Sequence, residues 1–249
     1  MSKAKKNALK PVKKENTALM NPRTSQRGFE GGIDQGDLII PRAKLMQALS
    51  PELVEGLEKV KVGSIINSLT KEILPQEFIP IFMFKNFIRF NPRSKDDPNF
   101  DPDFELGAVI WKSNDALDPK VQEQTKFGPN GEKPVATTFL NFFSYFSGSP
   151  MPIIVSFSKT SYKSGKQLLS LAKFCGGDMF ARRYRLTSSM ESNDIATYAI
   201  LKVAPIGEPT PEEFKICEKL WNDFSARAKD IHVHEEEVVE EPAQERRPY

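Results

Sequence analysis

The sequence is poor in the side chains that carry most enzyme chemistry. Only two of its 249 residues are histidine, His232 and His234, and both lie in the acidic stretch "HVHEEE" near the end of the chain. Ser-His and Cys-His nucleophilic pairs are therefore excluded from the body of the protein. The chain also has no Walker A motif and no GxGxxG fingerprint. These absences predict a binding protein rather than an enzyme, with no cofactor and no metal site.

Cysteines and long apolar runs are scarce as well. Cys175 and Cys217 have neither a metal-ligand spacing nor the pattern of a disulfide framework, which favours a reducing compartment. No apolar stretch approaches the roughly 20 residues of a membrane-spanning helix. No signal-peptide pattern is seen at the start of the sequence. We therefore expect a soluble intracellular protein with no membrane partner.

Charge is distributed unevenly along the chain, although the net charge is only +2. Residues 1–28 contain eight Lys and Arg against one acid, Glu15, whereas residues 29–229 carry 25 basic and 25 acidic side chains. Residues 230–249 contain seven acids against Arg246 and Arg247. This pattern predicts a disordered basic arm over 1–28, a single globular domain over 29–229 and a disordered acidic tail over 230–249.

Most of the body has the pattern of short strands. The run "EFIPIFMFKNFIRF" at 77–90, a stretch around Trp111, residues 136–148, the run "PIIVSF" and a hairpin at 179–189 and 195–205 are rich in β-branched or aromatic side chains. A helix is predicted after Thr210, because Glu213 completes a capping box. We expect a mainly β protein with some α structure, as an OB-like β-barrel with loop insertions, one internal helix and a C-terminal helix. Other small α+β sheets fit the same order of elements.

The internal helix lies in "SFSKTSYKSGKQLLSLAKF", residues 156–174. Its leucines lie on one side, while Lys163, Lys166, Ser170 and Lys173 share roughly the opposite side. Lysines near a helix N-terminus oppose the helix dipole, and no acid is interleaved to form i,i+4 pairs. A face of one sign favours an anionic partner; the alternative is an ordinary solvated helix face.

Cations and aromatic rings lie together in three separate segments, which are residues 159–185, residues 84–95 and the pair Trp111–Lys112. Residues 159–185 contain seven Lys and Arg against Asp178, and residues 84–95 contain four cations and no acid among three phenylalanines. Cations can follow the phosphates of a single strand while rings stack on its unpaired bases, unless the rings belong to the core. We expect Lys163, Arg183 and Arg89 to share one trough. The predicted nucleic-acid-binding residues are Lys85, Phe87, Arg89, Arg93, Trp111, Lys112, Lys159, Tyr162, Lys163, Lys166, Lys173, Arg182, Arg183, Tyr184 and Arg185.

The block "PIIVSFSKTSYKSGKQLLSLAKF…MFARRYRLTSSMESNDIATYAILKV", a strand followed by a basic helix and a hairpin, resembles the replicative single-stranded-DNA-binding proteins of tailed bacteriophages. The resemblance covers about residues 150–205 and the acidic tail. It implies an oligonucleotide-binding fold and a location in the cytoplasm of a bacterial host. It also implies a tail that competes with DNA and recruits polymerase and helicase. The corresponding tail residues are Glu235, Glu236, Glu237, Glu240, Glu241 and Tyr249.

The function predicted from the sequence is non-catalytic coating of single-stranded DNA during replication or recombination. Such binding has little sequence preference and weakens steeply with salt. Two alternatives remain open: a structural or assembly protein of a virus particle, and a recombination mediator that anneals strands. Self-association into a homo-oligomer is compatible with each of the three.

Overall fold

Eight strands and four α-helices make up the described part of the chain, which comprises residues 39–57, 59–149, 151–193 and 196–230 of a computed structural model. The mainly β fold with some α structure is confirmed. The strands are β1 (Ala43–Leu45), β2 (Ile65–Asn67), β3 (Glu77–Phe90), β4 (Val109–Ser113), β5 (Thr137–Phe146), β6 (Ile153–Phe157), β7 (Arg183–Ser192) and β8 (Thr197–Gly207). The helices are α1 (Pro51–Val54), α2 (Pro119–Gln124), α3 (Tyr162–Phe174) and α4 (Pro211–Phe224).

The long strand β3 organises the main sheet. It pairs with β5 along most of its length, and its other edge pairs with β7 at its start and with β4 at its end. The strand order is β6-β5-β3-β7-β8, and the pairings along it are antiparallel. Helix α3 connects β6 to β7, so the helix with the lysine face lies between two strands at different positions in the sheet.

One face of all five strands packs around a common hydrophobic core. Phe142 of β5, Phe157 of β6, Tyr184 of β7 and Leu201 of β8 meet there, together with Leu168 from the apolar side of α3. The helix approaches the sheet closely at Gly165, where a Cβ would lie 2.6 Å from Cβ of Phe157. Only glycine allows this spacing, and it fixes how α3 lies over β5 and β6.

A small hairpin of β1 and β2 bridges the space between the outer strands β6 and β8. The backbone N–H of Ile154 donates to the carbonyl of Pro41 at 2.9 Å. At the other side the amide of Gln47 donates to the carbonyl of Ala199 at 2.8 Å and accepts from its N–H at 2.9 Å. One side chain thus reproduces the pairing of a neighbouring strand. The main sheet and the hairpin together form a partly open barrel, and its OB-like topology stays a prediction.

Helix α4 covers the outer face of the barrel. It begins as predicted, because the Thr210 hydroxyl accepts from the Glu213 N–H and the Glu213 carboxylate accepts from the Thr210 N–H. Its residue Cys217 is buried in the same apolar cluster as Phe82 and Phe143, whose stacked rings have centres 4.7 Å apart. Burial, with the charge of Glu213, raises the pKa of the Cys217 thiol to about 12, so it stays protonated.

Three local predictions differ from the structure. The run "DLIIP" predicts a short strand that ends at Pro41, whereas β1 follows this proline. The hairpin strands lie two to four residues later than expected, because Met179–Ala181 forms a 3₁₀ turn. The run "DPKVQEQTKFGPNGEKP" predicts a loop, whereas helix α2 lies within it and starts there because the Asp118 side chain accepts from the Lys120 N–H.

Candidate nucleic-acid interface

Three of the predicted cations are paired with acids from distant parts of the sequence. Arg182 lies 3.0 Å from Glu208, and Arg185 lies 3.8 Å from Glu77. Arg183 donates to Glu77 as well, and its other terminal nitrogen lies 3.9 Å from Glu213. The excess of positive charge at 182–185 in the sequence is therefore compensated in the fold.

The single trough expected for Lys163, Arg183 and Arg89 is not formed. Arg183 contacts Glu77 at the first residue of β3, whereas Arg89 lies twelve residues further along the same strand. At about 3.3 Å per residue, that separation is roughly 40 Å along the sheet. The arginines at 182, 183 and 185 thus belong to one end of the molecule and Arg89 to the other.

Two of the predicted stacking rings are buried. Phe87 is 5% exposed and Tyr184 is 0% exposed. Tyr184 packs in the barrel core, and burial raises the pKa of its hydroxyl. Neither ring has a free face for a base, so the assignment of these two residues to the binding surface is corrected.

Two other predicted rings are partly exposed and held in place. Tyr162 packs against the barrel core, and the ammonium of Lys166 lies 5.6 Å from the centre of its ring. The indole N–H of Trp111 donates to the Gln124 side chain of α2 at 3.1 Å. This bond fixes the orientation of the Trp111 ring on the edge of β4.

The end of β3 presents cations on the same sheet face as α3. Lys85 is exposed and lies opposite Leu140, which the helix contacts near Gly165. Further along, Arg89 is the cross-strand neighbour of Trp111. One terminal nitrogen of Arg89 donates to the carbonyl of Asn99 at 3.4 Å, and its buried Nε has no hydrogen-bond partner among the described residues. Lys112 is opposite Ile88 and therefore points to the other face.

The solvent side of α3 carries lysines and no acid. Lys163, Lys166 and Lys173 are exposed, while Leu168 and Ala172 are buried on the other side, as the periodicity predicts. The hydroxyl of Ser161, directly before the helix, accepts from the N–H of Leu201 in β8 at 3.1 Å. That bond anchors the start of the helix to the barrel.

A cluster of three cations adjoins the N-terminal end of α3. The three cations are Lys159, Arg93 and Lys133. The pKa of Lys159 is lowered to about 8, because protein atoms crowd its ammonium and the other two cations repel it. Lys159 as a residue is exposed to solvent, although protein atoms crowd its ammonium. Lys159 also has a left-handed backbone with φ of 46°, which is unfavourable for a residue other than glycine.

Sequence reasoning missed Lys133 and two exposed rings. The fold brings Lys133 close to Lys159. In the sequence, the neighbouring Gly128, Gly131 and Pro134 indicate only that Lys133 lies in a surface loop. Phe127 is 72% exposed and Phe174 is 87% exposed. Both have a lysine immediately before them, the same ring-and-cation signal that was used elsewhere in the sequence.

Some predictions concern residues outside the described ranges. The basic arm, the acidic tail and the tail residues from Glu235 to Tyr249 are not among the ranges described. Within those ranges no three His, Cys, Asp or Glu side chains are close enough together to hold a metal ion. Every described helix is too short or too polar to cross a lipid bilayer.

Comparison with known proteins places the chain in a family. A family model described as "Pam3 phage gp34-like protein" matches residues 5–230. No curated protein and no solved structure matches the chain. Because the family match spans most of the sequence, the chain is of bacteriophage origin and belongs to the Pam3 phage gp34-like proteins.

Proposed function

We propose that this phage protein binds single-stranded DNA, without catalysis, along a cationic track. The track is formed by Lys159, Lys163, Lys166 and Lys173, with Arg93 and Lys133 at its first end. The carrying observation is that the solvent side of α3 has three lysines and no acid, and that it runs directly from the cluster around Lys159. In this role the protein coats strands that are exposed during replication or recombination.

The arrangement fits a single strand better than a duplex. The track follows one helix of 13 residues, which is about 20 Å long. Exposed or half-exposed rings lie near its cations, and unpaired bases offer faces for stacking that a duplex hides. The partly open barrel supports the same proposal, because barrels of this type hold oligonucleotides on their strands and loops.

The acidic tail has a proposed role in the same function. Its seven carboxylates on 20 residues are opposite in sign to the track, so the tail competes with DNA and recruits replication proteins. Deleting residues 230–249 should tighten binding of an oligonucleotide. An unchanged affinity after the deletion would rule out the competition.

The test of the proposed function is a titration with fluorescent dT16 at several salt concentrations. The double variant Lys163→Ala/Lys166→Ala should weaken binding and reduce the slope of log K against log salt by about 1.4, because each phosphate contact on a single strand contributes about 0.7. The matched control is Lys215→Ala/Lys219→Ala, which removes two exposed lysines from α4 and the same net charge. Equal effects of the two variants would refute the track. No binding by the wild-type protein, with or without the tail, would favour an assembly role in the virus particle.

A further inference from the structure

A hydrogen-bonded loop carries the exposed ring of Phe127 together with Lys133, one of the cations near Lys159. The N–H of Gly131 donates to the carbonyl of Gly128 at 3.0 Å, and the N–H of Gly128 donates to the carbonyl of Glu132 at 3.0 Å. The carboxylate of Glu132 accepts from the backbone and the side chain of Asn130 at 3.0 and 2.9 Å. Hydrogen bonds from its own backbone and from Asn130 hold the pKa of Glu132 below its usual range.

The loop lies against the side chain of Glu132 at its first glycine. A Cβ at Gly128 would lie 2.1 Å from the Glu132 carboxylate oxygen and 2.9 Å from its carboxyl carbon. The backbone bonds of Gly128 form a tight turn directly after Phe127. The ring is 72% exposed on this turn, and Lys133, on the far side of the same turn, is one of the cations that repel Lys159.

A second exposed ring lies at the other end of the track. Phe174 is the last residue of α3, directly after Lys173, and is 87% exposed. Gly176 and Gly177, both with positive φ, turn the chain away immediately afterwards. Helix α3 therefore ends with its cation and its ring in solvent, about 20 Å from the end that the Lys159 cluster occupies.

We propose that Phe127 and Phe174 are the base-stacking residues at the two ends of the track. This inference rests on the proposed function and assigns the positions at which unpaired bases are held. The cations between the rings contact phosphates, and each ring stacks on one base of the strand that leaves the track. Stacking is sequence-tolerant, because every base has a π face.

The test compares two oligonucleotides and two single variants. With dT16, which reaches both rings, Phe127→Ala and Phe174→Ala should each weaken binding by about 5- to 100-fold. The salt slope should stay unchanged, because neither ring carries charge. With dT4, which reaches one end only, each single variant should lose about twofold, since the other end remains available, and the double variant should lose much more.

A matched control separates stacking from the loss of exposed apolar surface. Leu117 is 76% exposed in the same β4–β5 connection, and Leu117→Ala should bind dT16 within about twofold of wild type. Phe127→Trp and Phe174→Trp should restore affinity, and the fluorescence of the new indole should be quenched by the oligonucleotide. Restored affinity also shows that the alanine variants do not act through misfolding.

Each failure has a distinct meaning. If wild-type protein binds dT16 with a steep salt slope but both alanine variants bind equally well, the stacking proposal is wrong and the track stands. Equal losses on dT4 and dT16 would overturn the two-ended arrangement. If the wild-type protein binds neither oligonucleotide at low salt, the proposed function fails and the stacking proposal fails with it.

Discussion

Arg183 and Glu77 form an ion pair that joins the start of β7 to the start of β3. The same guanidinium lies 3.9 Å from Glu213, the capping residue of α4, whose carboxylate also accepts from the Ser147 hydroxyl at 3.0 Å. Three elements of the outer barrel face thus meet at one arginine. Its charge is used within the fold, which assigns Arg183 to stability and not to the track.

Arg183→Ala should therefore destabilise the protein and leave DNA binding unchanged. The variant removes the closest cation of Glu77, which keeps Arg185 at 3.8 Å, and the cation near Glu213, and we expect a loss of about 1–2 kcal/mol in the free energy of unfolding. Urea denaturation measures the loss, and a dT16 titration should give an affinity within about twofold of wild type. Weaker binding with unaltered stability would return Arg183 to the interface.

Lys159 predicts a pH dependence of binding. With a pKa of about 8, its ammonium is mostly charged at pH 7 and mostly neutral at pH 9. The affinity of wild-type protein for dT16 should fall by about 3- to 10-fold over this range at constant ionic strength. Lys159→Arg, which keeps its charge, is the control and should show a much smaller change. Parallel pH profiles would place Lys159 outside the contact.

The same lysine affects stability in a defined direction. Its pKa in the folded protein lies below its ordinary value of 10.5, so the unfolded chain holds the proton more tightly. The destabilising effect of the partly desolvated and repelled charge is complete below pH 8 and is relieved as the pH rises from about 8 towards 10.5. Denaturation across this range should show a gain in stability that Lys159→Met lacks.

Glu52 is expected to be a major stabilising residue of the hairpin. Its buried carboxylate accepts from Lys44 at 2.7 Å and from Lys71 at 3.2 Å. Burial alone acts to raise the pKa of Glu52, but the bonds from these lysines and from the backbone outweigh it and lower the pKa. Glu52→Gln should cost about 3 kcal/mol at pH 7 by urea denaturation.

The pH dependence of that variant has a definite sign. Because the folded pKa of Glu52 lies below its ordinary value of 4.5, its contribution is complete above pH 4.5 and is lost as the pH falls further. Wild type and Glu52→Gln should therefore converge in stability under acid conditions. A constant difference between them down to pH 2 would contradict the role of the ionised carboxylate.

Gly165→Ala should destabilise the protein although alanine is the better helix former. The added methyl group would lie 2.6 Å from Cβ of Phe157 and 3.1 Å from Cδ1 of Leu140, so α3 must move away from the sheet. We expect a net loss of about 1–3 kcal/mol by thermal denaturation. Ser170→Ala, on the exposed side of the same helix, is the control and should be neutral or slightly stabilising.

Local patterns predicted the secondary structure well. The lysine face of α3 follows from a 3.6-residue period, and the start of α4 follows from the Thr210 and Glu213 capping box. Both signals are complete within one element. The closing bridge by Gln47 left no such signal, because the amide acts on a strand 152 residues away in the chain.

The candidate interface was only partly predictable for the same reason. The acid that neutralises Arg183 lies 106 residues earlier in the sequence, so local charge counting overestimated the free charge of 182–185. The rings were equally ambiguous: Phe87 and Phe174 each lie close to a lysine, yet one is buried and the other exposed. Which ring faces solvent depends on what packs over it, and that is decided by the strand order.

The two hydrogen bonds between the Gln47 amide and Ala199 of β8 have a consequence for how the barrel opens. Among the described residues, the Gln47 amide bonds the hairpin segment to Ala199 of β8, and the Ser188 hydroxyl of β7 donates to the Gly63 carbonyl at 2.6 Å. The hairpin can therefore separate from β7 and β8 without breaking a series of backbone hydrogen bonds between strands. Amide protons of β1 and β2 should therefore exchange with deuterium well before those of β3 and β5. The contact of the hairpin with β7 and β8 is then the first part of the native structure to open locally.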